Sequence, residues 1–81
     1  MILKPGETYA VGVLASDTAF SVEKGVVQIS TNGGTTKMKF YGPDHGSTKR
    51  AEKIVISSGL SVTLYNDFGR QTDTEVIWMP I

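Results

Sequence analysis

Apolar and polar residues alternate with a period of two along most of this chain, and no helical apolar period survives over a helix-length window. The densest apolar runs are Ile54-Val55-Ile56 and Leu60 to Tyr65, where Leu60, Val62 and Leu64 alternate with Ser61, Thr63 and Tyr65. A strand is predicted from Thr8 to Leu14, with Tyr9, Val11 and Val13 alternating against Thr8, Ala10 and Gly12. A short strand is predicted from Thr18 to Val22, and a last one from Thr74 to Met79. Lys4-Pro5-Gly6-Glu7 and Glu23-Lys24-Gly25 carry turn chemistry, with Pro fixing φ and Gly supplying positive φ. Ser16-Asp17 has the form of a helix cap, but the residues after it suit a strand better.

Val26 to Tyr41 reads as a β-hairpin around Asn32-Gly33-Gly34, residues that tolerate the positive φ of tight hairpin turns. With Asn32-Gly33 central, Val27 faces Met38 and Ile29 faces Thr36. With Gly33-Gly34 central, Val27 faces Phe40 and Ile29 faces Met38. Both registers have the same parity. Either one predicts Val27, Ile29, Met38 and Phe40 on a core face, with Val26, Gln28, Ser30, Lys37, Lys39 and Tyr41 on a wet one.

Between Ile56 and Leu60 the parity conflicts. A two-residue turn at Ser58-Gly59 would set Ile56 opposite Ser61, Val55 opposite Val62 and Ile54 opposite Thr63. That puts the two apolar sets on opposite faces of one sheet. An arch at Ser57 to Gly59 resolves the conflict by carrying the chain into a second sheet. Ile54 and Ile56 then point inward from one layer, and Leu60, Val62 and Leu64 from the other. The expectation is an all-β fold, a small antiparallel β-sandwich or flattened barrel of about seven strands. The polar stretches Gly42 to Arg50 and Asn66 to Asp73, the latter holding Phe68 and Gly69, are predicted loops.

At 81 residues the chain is a single domain, 1–81, near the lower limit for folding without crosslinks. Per-residue scaling gives a stability of about 4–12 kcal/mol. It has no cysteine, so disulfides and thiolate metal sites are excluded. Eight basic and eight acidic residues cancel, which removes any global pull toward nucleic acid or acidic lipid and favours self-association. No apolar run approaches the roughly 18 residues of a membrane-spanning helix. Met1 to Gly6 lacks the apolar core of a signal peptide, which predicts a protein made and kept in the cytoplasm.

Catalytic chemistry has little to build on. His45 is the single histidine, and Asp44 beside it is its nearest candidate co-ligand, short of the three or four donors a zinc site gathers. No hydroxyl is marked as a nucleophile by a strained strand-to-helix elbow. The Asp73/Glu75 spacing suits an exposed strand face as well as it suits a carboxylate pair. The expectation is no enzyme, no cofactor and no metal.

The charge is unevenly distributed. Lys37, Lys39, Lys49, Arg50 and Lys53 fall within 37–53 against Asp44 and Glu52, a local balance of +3, while 1–36 balances at −1 and 54–81 at −2. Lys37, Lys39 and Tyr41 share a strand face, the mixture of cations and rings that small barrels use for single-stranded nucleic acid. The same layout lets the basic middle of one copy attract the acidic ends of another, as in a ring or trimer. Trp78-Met79-Pro80-Ile81 adds a large apolar tip. Trp78 either closes its own core or, with Ile81, packs on a neighbour.

The Asn32-Gly33-Gly34 hairpin, the Lys53 to Ile56 strand and the run Ser58-Gly59-Leu60-Ser61-Val62-Thr63-Leu64-Tyr65-Asn66 resemble in style the small all-β accessory proteins of tailed-phage particles. These are head-decoration, neck and tail proteins, and the similarity covers about residues 25–79. The resemblance implies a non-enzymatic virion component that binds a capsid or tail surface as a homo-oligomer. It carries over no functional residue. The alternative is a small barrel binding single-stranded nucleic acid through 37–53. The candidate partner-binding residues are therefore Lys37, Lys39, Tyr41, Lys49, Arg50, Lys53, Trp78 and Ile81.

Overall fold

The computed structural model describes residues 1–34, 37–45, 49–66 and 72–81. Its strands are β1 (Ile2–Leu3), β2 (Thr8–Val13), β3 (Thr18–Lys24), β4 (Val26–Thr31), β5 (Met38–Tyr41), β6 (Lys53–Ile56), β7 (Ser61–Asn66) and β8 (Thr74–Pro80). They form two four-stranded antiparallel sheets, β1-β8-β3-β6 and β2-β7-β4-β5. The fold is a β-sandwich. The eighth strand, beyond the seven expected, is β1. Two residues are too few to show a period, yet Ile2 and Leu3 pair with Glu75 and Thr74, and Leu3 is buried in the core.

The arch is present. β6 pairs with β3 in the first sheet, whereas β7 lies between β2 and β4 in the second. Ile56, Val62 and Leu64 are all buried in one core, with Ile54 and Leu60 packed against it. Asp17 pins the arch: its Oδ1 accepts the Ser58 N–H at 2.9 Å. Leu14 adds two backbone bonds, accepting from Gly59 and donating to Leu60. Asp17 thus caps a chain reversal rather than a helix.

The hairpin combines both expected registers. Asn32 and Gly33 have φ of 53° and 66°, and the Gly34 N–H donates to Thr31 at 3.0 Å, so the tight turn centres on Asn32-Gly33. The ladder nevertheless pairs Val27 with Phe40 and Ile29 with Met38, the register centred on Gly33-Gly34. Thr35 and Thr36, which connect the two, lie outside the described residues. Val27 and Ile29 are fully buried and Phe40 packs on the core, but Met38 is exposed. β5 is an edge strand, and Met38 stands at its first position, where the core runs out. Val26, expected on the wet face, is also buried. It follows the corner at Gly25, where β3 passes directly into the other sheet.

That corner depends on glycine. Gly25 has φ of 77°, and an added Cβ would lie 2.8 Å from the Asp73 carbonyl and from Thr74 Oγ1. The neighbouring Thr74 hydroxyl donates to the Val26 carbonyl at 2.9 Å, tying β8 to β4 across the sandwich. Asn66, fully buried, donates from Nδ2 to the carbonyls of Leu3 and Thr72, both at 3.0 Å. These bonds fasten β1 and the start of the last segment to β7. The predicted loop at Phe68 and Gly69 lies outside the described residues.

Candidate functional site: the two outward faces

In a sandwich each sheet turns one face to the core and the other outward. Alternate residues therefore reveal what each sheet presents. On the β1-β8-β3-β6 sheet, Thr18, Phe20, Val22, Ile54, Ile56, Val76 and Trp78 point inward. Ala19, Ser21, Lys53, Val55, Ile77 and Met79 point outward. Three of these are large exposed apolar side chains: Val55 (59%), Ile77 (46%) and Met79 (64%). Ile2, opposite Glu75 on β1, extends the stripe at 57% exposure. A shallow cleft of about 340 Å³ runs over this face, lined by Ala19, Ser21, Glu23, Lys53, Ile77 and Met79.

Charge on this sheet is balanced. Its strands hold Glu23, Lys24, Lys53 and Glu75 and no other ionisable side chain. Glu23 also accepts a bond from the Ser21 hydroxyl.

The outward face of the β2-β7-β4-β5 sheet differs in kind. Thr8, Gln28, Ser30, Thr63, Tyr65 and Lys39 occupy it, with Val13 exposed at one corner. The Ser30 hydroxyl lies 3.3 Å from the Tyr65 hydroxyl, and the Lys37 Nζ sits 4.1 Å above the Tyr65 ring. The strands of this sheet contain no carboxylate. Its outward face is polar and cationic.

The candidate residues divide between these surfaces. Lys37, Lys39 and Tyr41 come together on the cationic face, joined by Tyr65, which the sequence reading did not single out. Lys53 belongs to the other sheet, paired with Ser21. Lys49 and Arg50 are exposed in the connection from β5 to β6, which are edge strands of different sheets. The basic segment is therefore spread around an edge and is not gathered on one face. Trp78 points inward, its ring 5.7 Å from that of Phe20 and 6.1 Å from that of Tyr9, so it closes the end of its own core. Ile81 is 75% exposed, with its N–H bonded to the Asp17 carbonyl.

The acidic candidates have local duties. Asp44 Oδ1 accepts the Gly25 N–H at 2.9 Å, holding the 42–45 turn to the sheet-crossing corner, and Oδ2 lies 3.4 Å from His45 Nε2. Burial pushes the Asp44 carboxyl up, but bonds from the Gly25 amide and its own amide, with His45 and Lys24 nearby, outweigh it and hold the carboxyl below 3.8. Among the described residues no three histidine or carboxylate side chains converge. Glu75 lies within β8, whereas Asp73 precedes it.

Comparison with protein-family models, with curated proteins and with solved structures gives no match. The two outward faces are therefore what a function can be argued from.

Proposed function

We propose that this protein is a non-enzymatic assembly module, a small sandwich that acts by packing against protein surfaces, other copies of itself among them. The role in a virion expected from the resemblance to tailed-phage accessory proteins fits this reading. The observation that carries it is the apolar outward face built from Ile2, Val55, Ile77 and Met79. Antiparallel sheets at a protein surface ordinarily turn a polar face to water, whereas this one sets a large apolar strip among Ser21, Glu23, Lys53 and Glu75, the composition of a patch that meets another surface. The polar side chains best placed for chemistry are engaged in holding the fold: Asp17 at the arch, Asp44 at the corner, Asn66 and Thr74 across the core.

Single-strand nucleic-acid binding has one observation in its favour, the grouping of Lys37, Lys39, Tyr41 and Tyr65. Two others weigh against it. Lys37 already covers the Tyr65 ring on which a base would stack, and Lys53 is on the other sheet. Light scattering at tens of micromolar, with and without a single-stranded oligonucleotide, separates the two. The assembly reading expects at least a dimer, unchanged by oligonucleotide near physiological salt. A monomer that forms a micromolar oligonucleotide complex, losing affinity linearly in log salt, would reverse the ranking.

A further inference from the structure

We infer that the occupant of the apolar face is a second copy of this chain, packed sheet to sheet through β8, β3 and β6. This deepens the assembly reading and rests on it. Three observations select the occupant and the geometry.

The first is chemical. Ala19, Val55, Ile77 and Met79 make a contiguous strip across three adjacent strands: Ala19 pairs with Val55 on one side and Met79 on the other, and Ile77 is the next outward residue along β8. Covering such a strip removes apolar area from water without stranding hydrogen-bonding groups, because the backbones beneath it are already paired.

The second is electrostatic. An isologous contact sets a surface against itself, so like charges confront like unless the surface carries both signs. The apolar face has two carboxylates and two lysines on its strands, Glu23 and Glu75 with Lys24 and Lys53. It can meet its own copy without net repulsion. The opposite outward face has Lys39 on its strands, Lys37 beside them and no strand carboxylate, with Glu52 at the β5 edge, so it is less suited to meeting its own copy.

The third is size. The molecule measures 31 × 23 × 20 Å, so a whole broad face offers on the order of 700 Å², close to the roughly 800 Å² per partner that a stable interface buries. Pairing along one strand edge would cover far less. The face is large enough, and a single edge is not.

The test uses the intact chain and sedimentation or light scattering over a concentration series. Ile77→Lys combined with Met79→Lys should reduce the mass to that of a monomer, with the strand signal in circular dichroism retained. Thr8→Lys, on the other outward face, should leave the mass of the assembly unchanged. Because the double lysine variant could fail to fold, charge reversal supplies a second route. Lys53→Glu alone and Glu75→Lys alone unbalance the face, and each should weaken self-association about tenfold. Together they restore the balance, and association should return to within about twofold of wild type.

A folded Ile77→Lys/Met79→Lys variant with undiminished mass would overturn this inference and leave the assembly reading standing. So would a double reversal no better than either single change. A wild-type chain that is monomeric throughout the series would sink both the inference and the homo-oligomeric part of the assembly reading.

Discussion

The two sheets share one core and differ in what they turn away from it. The β2-β7-β4-β5 sheet follows the ordinary rule for an antiparallel layer at a surface: Val27, Ile29, Val62 and Leu64 inside, Gln28, Thr63 and Tyr65 outside, with Ser30 buried beneath Tyr65. The β1-β8-β3-β6 sheet breaks that rule, with Phe20, Val22 and Val76 inside and Ile77, Met79 and Val55 outside. Both stabilise the same fold, so folding alone cannot account for the second outward set. We read this outward apolar set as a surface that a partner covers. The cationic face can stay in water without cost.

The comparison is sharpened most by truncating the inner side of both sheets and the outer side of the β1-β8-β3-β6 sheet in dilute protein. Phe20→Ala should cost about 3–5 kcal/mol and Ile29→Ala about 2–5 kcal/mol, since each empties a fully packed site. Val55→Ala and Ile77→Ala should cost less than about 0.5 kcal/mol under the same conditions. Denaturant titration measures all four. A large loss at Ile77 in the monomer would mean that the outward stripe belongs to the core.

Gly25 comes next, because it carries the chain from one sheet to the other. Gly25→Ala should cost about 2–4 kcal/mol, combining the left-handed backbone penalty with overlap against Asp73 and Thr74. Near-neutral behaviour in thermal unfolding would show that the corner relaxes and that the sheets are less rigidly joined than described.

On the cationic face, Lys37→Ala should cost about 0.5–1 kcal/mol through loss of its contact with the Tyr65 ring. Lys37→Arg should retain most of that contribution. Denaturant titration of the two variants side by side checks the difference.

The smallest effect is one of pH. The Asp44 carboxyl is held below its ordinary 3.8 in the folded protein. Its contribution to stability is therefore complete above that ordinary value and is lost as pH falls through the lower folded value. Asp44→Asn should flatten the stability profile in that acidic window and lower stability slightly at neutrality, where the wild-type carboxylate contributes in full. An equal acid dependence in the variant would assign the window to other carboxylates.

Much of this architecture was legible because strand parity is unforgiving. Ile54 and Ile56 could not share a face with Val62 and Leu64 through a two-residue turn, and the arch follows from that conflict alone. The pairing of Val27 with Phe40 was likewise one of two permitted registers. Positions governed by where an element ends were not legible. Met38 has core parity but stands at the start of an edge strand, Val26 has surface parity but follows the Gly25 corner, and Leu3 lies in a strand too short to show a period. The candidate site suffered from the same limit. Lys37 and Lys53 are close in sequence, but the β5–β6 connection crosses between sheets and separates them. The apolar outward stripe was hidden for a related reason. Ile54-Val55-Ile56 and Val76-Ile77-Trp78 read as continuous apolar runs, and period alone does not say whether the second face of such a run meets protein or water.

The central claim is that one outward face is an interface and the other is not, and the most direct measurement is backbone amide NMR over a dilution series. The account predicts concentration-dependent shifts or broadening at 19–23, 53–55 and 77–79, with Thr8, Gln28 and Thr63 unmoved. Changes centred on Thr8, Gln28 and Thr63, or none anywhere in the series, would contradict it.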